Sequence, residues 1–271
     1  MPELPEVETT RNGLLPHLSG HQVVEVEVHN ARLRNPVPDD LAARLRDSRL
    51  LTLRRRAKYL LFDFDIGTLI VHLGMSGSLR LDPRLQPRRK HDHVCITFDT
   101  GMSLRLHDPR RFGLMVWGGQ EPQNHALLRR LGPEPLGDGF SGEYLHARAK
   151  GRKAAVKAFI MDQQVCVGVG NIYASEALFR AGIHPLRAAQ RVSATRYDTL
   201  AKAIREVLIQ AIAVGGTTLR DFLHADGSPG YFEQQLAVYG RAGEACHACG
   251  HSIHSQTVAQ RNTFWCVHCQ R

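Results

Sequence analysis

Long apolar runs are missing from this chain of 271 residues: none approaches the ~18 residues of a bilayer-spanning helix, so a helical membrane protein is excluded. The acidic opening lacks the basic-then-apolar layout of a secretory signal, and a cytoplasmic protein is the expectation. No internal repeat and no low-complexity segment occurs, which excludes a repeat array. Acidic residues are scarce: 26 Asp and Glu face 35 Lys and Arg, a formal charge of +9. That imbalance favours a polyanionic partner; the alternative is a merely basic soluble protein. Cysteine is sparse too. Two of the six, Cys95 and Cys166, stand alone in apolar sequence and read as small core residues.

What is present starts with length enough for a real core and two domains. The positive charge is clustered, at Arg54-Arg55-Arg56 with Lys58, at Arg88-Arg89-Lys90, at Arg110-Arg111, and at Lys150, Arg152, Lys153 and Lys157. The N-terminus reads Met1-Pro2-Glu3-Leu4-Pro5-Glu6. One reading is an acidic first helical turn opened by proline. The other is chemical: removal of Met1 would leave a secondary amine able to attack an electrophilic carbon and form an iminium ion, with Glu3 beside it to move a proton.

Residues 3–18 carry an apolar helical face of Leu4, Val7, Leu14, Leu15 and Leu18. Val24, Val26 and Val28 then alternate with Glu25 and Glu27, the period of a strand. Further strands are expected at Leu50–Arg54, Tyr59–Phe64, Thr68–His72, Ser78–Leu81, Val94–Phe98, Ser103–Leu106 and Leu114–Trp117, with a helix at Asp39–Arg46. Many short strands at close spacing predict an antiparallel sandwich or barrel. A Gly/Pro-rich stretch near Leu131–Gly139 reads as a linker, and helices follow at Gly142–Lys150, Lys153–Met161, Asn171–Ala181 and Ala194–Val214. The fold class is therefore α+β. The expected domains are 1–131, a linker at 132–141, a helical domain at 142–235 and a metal-bound finger at 236–271.

The finger rests on two Cys-x-x-Cys pairs, Cys246 with Cys249 and Cys266 with Cys269, with sixteen residues between them. Each pair bends tightly enough to offer two thiolates, and the spacer lets a hairpin bring the pairs onto one tetrahedral Zn2+. Four thiolates leave no open position, so the ion is structural. Disulfides are the alternative, disfavoured in a reducing compartment. His247, His251, His254 and His268 stand nearby as replacement ligands. Between two helices, Val167-Gly-Val-Gly-Asn171-Ile-Tyr173 reads either as a phosphate clasp at a helix N-terminus or as an ordinary glycine turn opening a helix.

Together, PELPEVET (2–9), RAKYLL (56–61), HLGMSGSL (72–79), DPRRFG (108–113), VGVGNIYAS (167–175), GGTTLRDFL (215–223), Gly230–Phe232 and the four-cysteine finger resemble the bacterial formamidopyrimidine-DNA glycosylases. These belong to the wider formamidopyrimidine-DNA glycosylase/endonuclease VIII family. The stretches span the chain in family order. The resemblance implies an N-terminal β-sandwich flanked by helices, then a helix–two-turn–helix domain with a zinc finger. It implies a monomeric DNA-repair enzyme, used at the nucleoid, that acts on duplex DNA containing oxidised purines or abasic sites. It would remove the base through a Schiff base on Pro2 and cut the strand by β,δ-elimination.

By the same resemblance, Glu3 is the general acid/base and Glu6 supports it, while Lys58 and Arg261 complete the catalytic set. His72, Arg110, Asn171 and Arg261 match phosphate-contacting positions, with Lys157 a weaker member. Met75, Arg110 and Phe112 match a trio that fills the gap left by an extruded nucleotide: two wedges and a donor for the widowed cytosine. Taken singly they would read as a core methionine, a surface arginine and a core phenylalanine. The loop 215–232 matches a lesion cap, with Thr217, Thr218 and Tyr231 as contacts. Glu8 is expected on the surface.

Overall fold

The computed structural model describes residues 1–216, 236–258 and 260–271. The capping-loop contacts expected at Thr217, Thr218 and Tyr231 lie outside them. The described chain divides into two compact units, one of residues 1–129 with 214–216, the other of residues 130–213 with 236–271.

The first unit opens with α1 (Leu4–Leu18) and contains α2 (Leu41–Leu45) and eight strands: β1 (Val23–Val28), β2 (Leu50–Arg56), β3 (Tyr59–Phe64), β4 (Gly67–His72), β5 (Ser78–Pro83), β6 (Asp92–Phe98), β7 (Met102–His107) and β8 (Leu114–Gly119). They form two antiparallel four-stranded sheets, in the orders β1-β6-β7-β5 and β2-β3-β4-β8. The strand period of two sends Leu60, Phe62 and Phe64 of β3, Leu69 and Val71 of β4, Val94, Ile96 and Phe98 of β6, and Leu104 and Leu106 of β7 into one core. Val7, Leu14 and Leu18 add the apolar stripe of α1. The expected sandwich is therefore present.

Two details depart from the periodicity. In β1 the alternating valines 24 and 28 are exposed and Val23 is fully buried. A register shift between Val23 and Glu25 re-aims the strand, and its edge position leaves the far end uncovered. Glu8, expected on the surface, is partly buried between Arg11 and Arg55 at 2.6 and 2.7 Å.

The second unit holds α3 (Gly142–Ala149), α4 (Val156–Ile160), α5 (Asn171–Arg180), α6 (Ala194–Ala213) and the hairpin β9 (Ile253–Val258) and β10 (Arg261–Cys266). α3 starts where Ser141 Oγ accepts from the Tyr144 amide at 3.0 Å. α4 is shorter than the expected 153–161. Ala155 is extended and bridges to Ala188, and the first amides of α4 donate to the carbonyls of Arg187 and Pro185. The Gly/Pro-rich stretch is packed rather than free: Arg205 of α6 donates to the Gly137 and Phe140 carbonyls at 2.8 and 2.6 Å.

Among the described residues no helix is long and apolar enough to cross a membrane.

Candidate functional site

In the first unit, strand pairing gathers the predicted residues. His72 ends β4 and pairs with Leu114 at the start of β8. Ser78 starts β5 and pairs with His107 at the end of β7. The two connectors between the sheets, 73–77 and 108–113, must therefore run side by side. The first carries Met75, the second Arg110 and Phe112. Met75 and Phe112 are 43% and 42% exposed, so neither is a core residue. The Arg110 guanidinium lies 4.8 Å from the centre of the Phe112 ring.

Tyr59 opens β3 opposite both His72 and Arg56, which puts the two-residue turn Ala57-Lys58 at the same end of the sandwich. Ala57 holds φ +55°, a left-handed conformation uncommon for a side-chain-bearing residue. Lys58 is only 6% exposed, not the solvated surface lysine that a basic run suggests. Arg55 secures this turn by donating to the Ala57 carbonyl at 2.9 Å while it pairs with Glu8 of α1. Burial drives the Glu8 carboxyl upward, but hydrogen bonds and charge from Arg11 and Arg55 outweigh it and hold the group below the usual carboxylate range.

At the start of α1, Pro2, Glu3 and Glu6 are all buried. Glu3 is the N-cap and Glu6 the third helical residue, in a reciprocal capping box. The Glu3 amide donates to Glu6 Oε2 at 2.7 Å. Glu6 thus fixes the peptide that carries the Pro2 carbonyl. Gly216 approaches from the other end of the unit: at φ +83°, a Cβ there would lie 3.0 Å from Glu6 Oε1. A side chain at 216 would press on this box.

His72 Nδ1 accepts the Gly74 amide at 2.9 Å, and its ring lies 4.9 Å from that of Tyr59. Burial, then the charges of Lys58 and Arg34, lower its pKa to about 4. Near neutral pH His72 is therefore an uncharged ring with its hydrogen on Nε2. It can donate one hydrogen bond to a phosphate but cannot neutralise it. Unfolded, the ring protonates near its ordinary value of 6.5; folded, it resists down to about 4. The unfolded chain binds the extra proton in that window, so stability falls as pH drops from 6.5 to 4, by up to about 3 kcal/mol from this group. A His72→Gln protein is expected to lose that portion of the acid sensitivity, measured as urea midpoints near neutral pH and near the folded-state value for both proteins. Identical pH slopes would contradict it.

In the second unit three predicted residues converge on one turn. Lys157, on α4, is buried; its ammonium donates to Thr263 Oγ1 at 3.0 Å and approaches the Asn262 carbonyl at 3.4 Å. Asn171 is the first residue of α5, with Gly170 as its cap, and its Nδ2 donates to the same carbonyl at 3.0 Å. Asn171 thus ties α5 to β10 rather than capping its own helix. Gly168, at φ +79°, makes the bend before it. Arg261 opens β10 and is exposed. Lys157 and Asn171 therefore brace the strand that presents Arg261.

The four cysteine sulfurs lie within 4.8 Å of one another, with Cys246–Cys269 at 3.9 Å and Cys249–Cys266 at 3.4 Å. Tetrahedral zinc with Zn–S near 2.3 Å requires sulfurs about 3.8 Å apart. The residues fit the ion, which all four would hold in a closed structural site. The alternative ligands His251 and His268 are exposed and stack on each other at 4.6 Å. A buried carboxylate fastens the finger to the helices: Glu176 of α5 accepts the amides of Ala237, Val238 and Tyr239 at 2.7–3.0 Å.

A family model described as the formamidopyrimidine-DNA glycosylase N-terminal domain matches residues 1–115, the corresponding H2TH domain matches 131–223, and the zinc finger found in FPG and IleRS matches 243–271. The formamidopyrimidine-DNA glycosylases of Methylococcus capsulatus and Stenotrophomonas maltophilia are each 57% identical, with all of both chains covered. This chain belongs to the formamidopyrimidine-DNA glycosylase family. Among solved structures, the MutM (Fpg) protein of Thermus thermophilus superposes with a TM-score of 0.89 at 40% identity, covering 99% of this chain and 98% of that one. The Lactococcus lactis Fpg in complex with abasic-site DNA superposes with a TM-score of 0.92 at 32% identity, covering 99% of each chain.

Sequence reasoning passed over a further part of this glycosylase-family surface. A cavity of about 350 Å3 in the first unit is lined by Arg88, Lys90, His91, His93 and Arg111, a cationic pocket suited to an anion. The Arg88–Lys90 run was evident; the histidines that follow it were the overlooked signal. A second set of metal-type donors, Glu27, His29 and Cys95, adjoins Arg84, Arg88 and Arg105, whose charges oppose a dication.

Proposed function

We propose that this chain is a bifunctional DNA glycosylase and abasic-site lyase of base excision repair. It removes oxidised purines, 8-oxoguanine and formamidopyrimidines, from duplex DNA, then cleaves the strand by β,δ-elimination. The observation that carries the reading is the end of the sandwich where exposed Met75 and Phe112 flank Arg110 beside buried Lys58 and His72. Two exposed wedges and one cation suit a duplex from which a nucleotide has been extruded. Relatives seen in complex with DNA containing Fapy-dG or an abasic site support the same substrates.

The residues take these roles. After removal of Met1, the Pro2 nitrogen bonds to C1′, the glycosidic bond breaks, and the base leaves with the electron pair and takes up a proton. The nitrogen loses its own proton, and its lone pair opens the C1′–O4′ bond while Glu3 protonates O4′, leaving an iminium. Removal of a C2′ proton expels the 3′ phosphate, a second elimination expels the 5′ phosphate, and water releases the enzyme. Glu6 holds the Pro2–Glu3 segment. Lys58 assists base removal near the lesion phosphate. His72, Arg110, Asn171 and Arg261 contact phosphates, and Arg261 serves the second elimination. Lys157 acts through the β10 turn. Residues 1–131 carry the chemistry; 142–235 and the zinc finger 236–271 grip the DNA. The protein works as a monomer in the bacterial cytoplasm, at the nucleoid.

The related endonuclease VIII branch shares the nucleophile but prefers oxidised pyrimidines and carries other wedge residues. Paired assays on 8-oxoguanine opposite cytosine and on thymine glycol separate the two. The expected result is at least tenfold faster release of the purine; faster release of the pyrimidine would overturn the substrate assignment.

A further inference from the structure

We infer that Asp108 is the positioning residue that makes the two wedge-bearing connectors a single rigid unit, and so sets both nucleotide extrusion and reading of the opposite base. The inference rests on the assignment of Met75, Arg110 and Phe112 as the residues that enter the duplex.

Asp108 stands at the root of the second connector and is fully buried. Each carboxylate oxygen holds a different loop. Oδ2 accepts the Gly113 amide at 2.7 Å, closing the 108–113 connector that carries Arg110 and Phe112. Oδ1 accepts from Ser76 Oγ at 3.1 Å, across to the connector that carries Met75. The Asp108 carbonyl meets His93 Nε2 at 2.7 Å and accepts the Arg111 amide at 3.2 Å, which anchors the root to β6.

The two connectors meet backbone to backbone. A Cβ on Gly74 would come within 2.4 Å of the Phe112 carbonyl carbon, and one on Gly113 within 3.5 Å of the Leu73 carbonyl oxygen. Between Arg110 and Phe112, Arg111 takes φ +57°, a left-handed conformation uncommon for a side-chain-bearing residue. Met75, Arg110 and Phe112 are exposed, so beyond the Arg110 guanidinium over the Phe112 ring their placement is set by the connectors that carry them. Asp108 is thus a buried side chain that hydrogen-bonds to both connectors.

The wedge must hold its shape while a base pair is pulled apart, but it has nothing to do where no pair exists. The test therefore compares two substrates: 8-oxoguanine opposite cytosine in a duplex, and an abasic site in a single strand. Asp108→Ala is expected to slow duplex excision tenfold or more and single-strand cleavage less than threefold, and to shrink the preference for cytosine over adenine opposite the lesion. Asp108→Asn should restore most of the duplex rate, because its carbonyl still accepts from Gly113 and its amide can donate to Ser76 Oγ. Ser76→Ala cuts only the link between the connectors, and should reproduce a several-fold part of the duplex defect at an unchanged melting temperature. That variant decides the matter should Asp108→Ala fail to fold.

Equal losses on both substrates in Ser76→Ala and Asp108→Ala, or no loss on either, would overturn the inference. Met75→Ala and Phe112→Ala separate it from the reading beneath it. If these leave duplex excision intact, the wedge assignment itself fails. If they impair it and the Asp108 and Ser76 variants do not, only the role of Asp108 fails.

Discussion

Protein in which Met1 is retained is expected to form no borohydride-stable adduct with abasic duplex DNA, and its lyase rate should fall by a factor on the order of 10^4 or more. With Met1 attached, the Pro2 nitrogen is an amide whose lone pair is delocalised into a carbonyl, and it cannot become an iminium nitrogen. Once freed, it is well suited to the task. A lysine amine of pKa about 10.4 is neutral in only ~0.1% of molecules near pH 7.4, while an α-amine of pKa about 8 is neutral in roughly a fifth. The proline ring raises that basicity somewhat. The first residue of α1 is Leu4, so the positive end of the helix dipole lies beside Pro2 and acts in the opposite direction.

The check needs two preparations, one processed and one with an extra residue that blocks processing, distinguished by intact mass. Each is mixed with abasic duplex and borohydride and followed on a denaturing gel. DNA affinity should stay within a few-fold, since the extra residue removes no phosphate contact. An adduct from the blocked protein would remove Pro2 from its role. Substituting Pro2 by glycine is a poorer probe, because glycine also supplies a terminal amine.

The strands and helices were legible because each buries an apolar face with its own period, as in Leu60, Phe62 and Phe64 on β3. Deviations came where a local pattern meets a longer-range constraint. A register shift re-aims β1, and the segment 185–188 takes the amides that open α4. The zinc ligands were legible from their paired spacing, and the motifs in family order pointed to Pro2, Glu3 and the wedge trio as candidates. Burial of Lys58 was not, because it follows from the backbone of Ala57 and the Glu8–Arg55 pair, forty-seven residues apart in the chain. Asp108 lay inside a recognised motif and still escaped notice. A carboxylate that organises two loops looks, in one dimension, like any turn aspartate.

Lys157 shows the same limit from the other side. The family resemblance made it a weaker candidate for a phosphate contact; in the structure its ammonium is turned inward onto Thr263 and Asn262. Those acceptors exist only while the finger is folded, which leads to the second large effect. Stripping zinc with a strong chelator, or replacing Cys266 by serine, is expected to reduce affinity for lesion duplex at least 100-fold. The hairpin's own core is small: Val238, Ile253 and Phe264 with two of the cysteines. So few apolar groups cannot hold some thirty residues folded, whereas a four-thiolate zinc contributes roughly 10–16 kcal/mol in isolated fingers at neutral pH.

Loss of the hairpin would release Arg261, leave the Lys157 ammonium without its two acceptors, and free the three amides that hold the Glu176 carboxylate. The first unit, with a separate core around β3, β4, β6 and β7, should keep its own melting transition. Calorimetry of the zinc-loaded and stripped protein, beside salt-matched titrations of labelled duplex, measures both effects. Unchanged affinity after verified zinc loss would refute the finger's part in DNA binding, and loss of the first unit's transition would refute its independence.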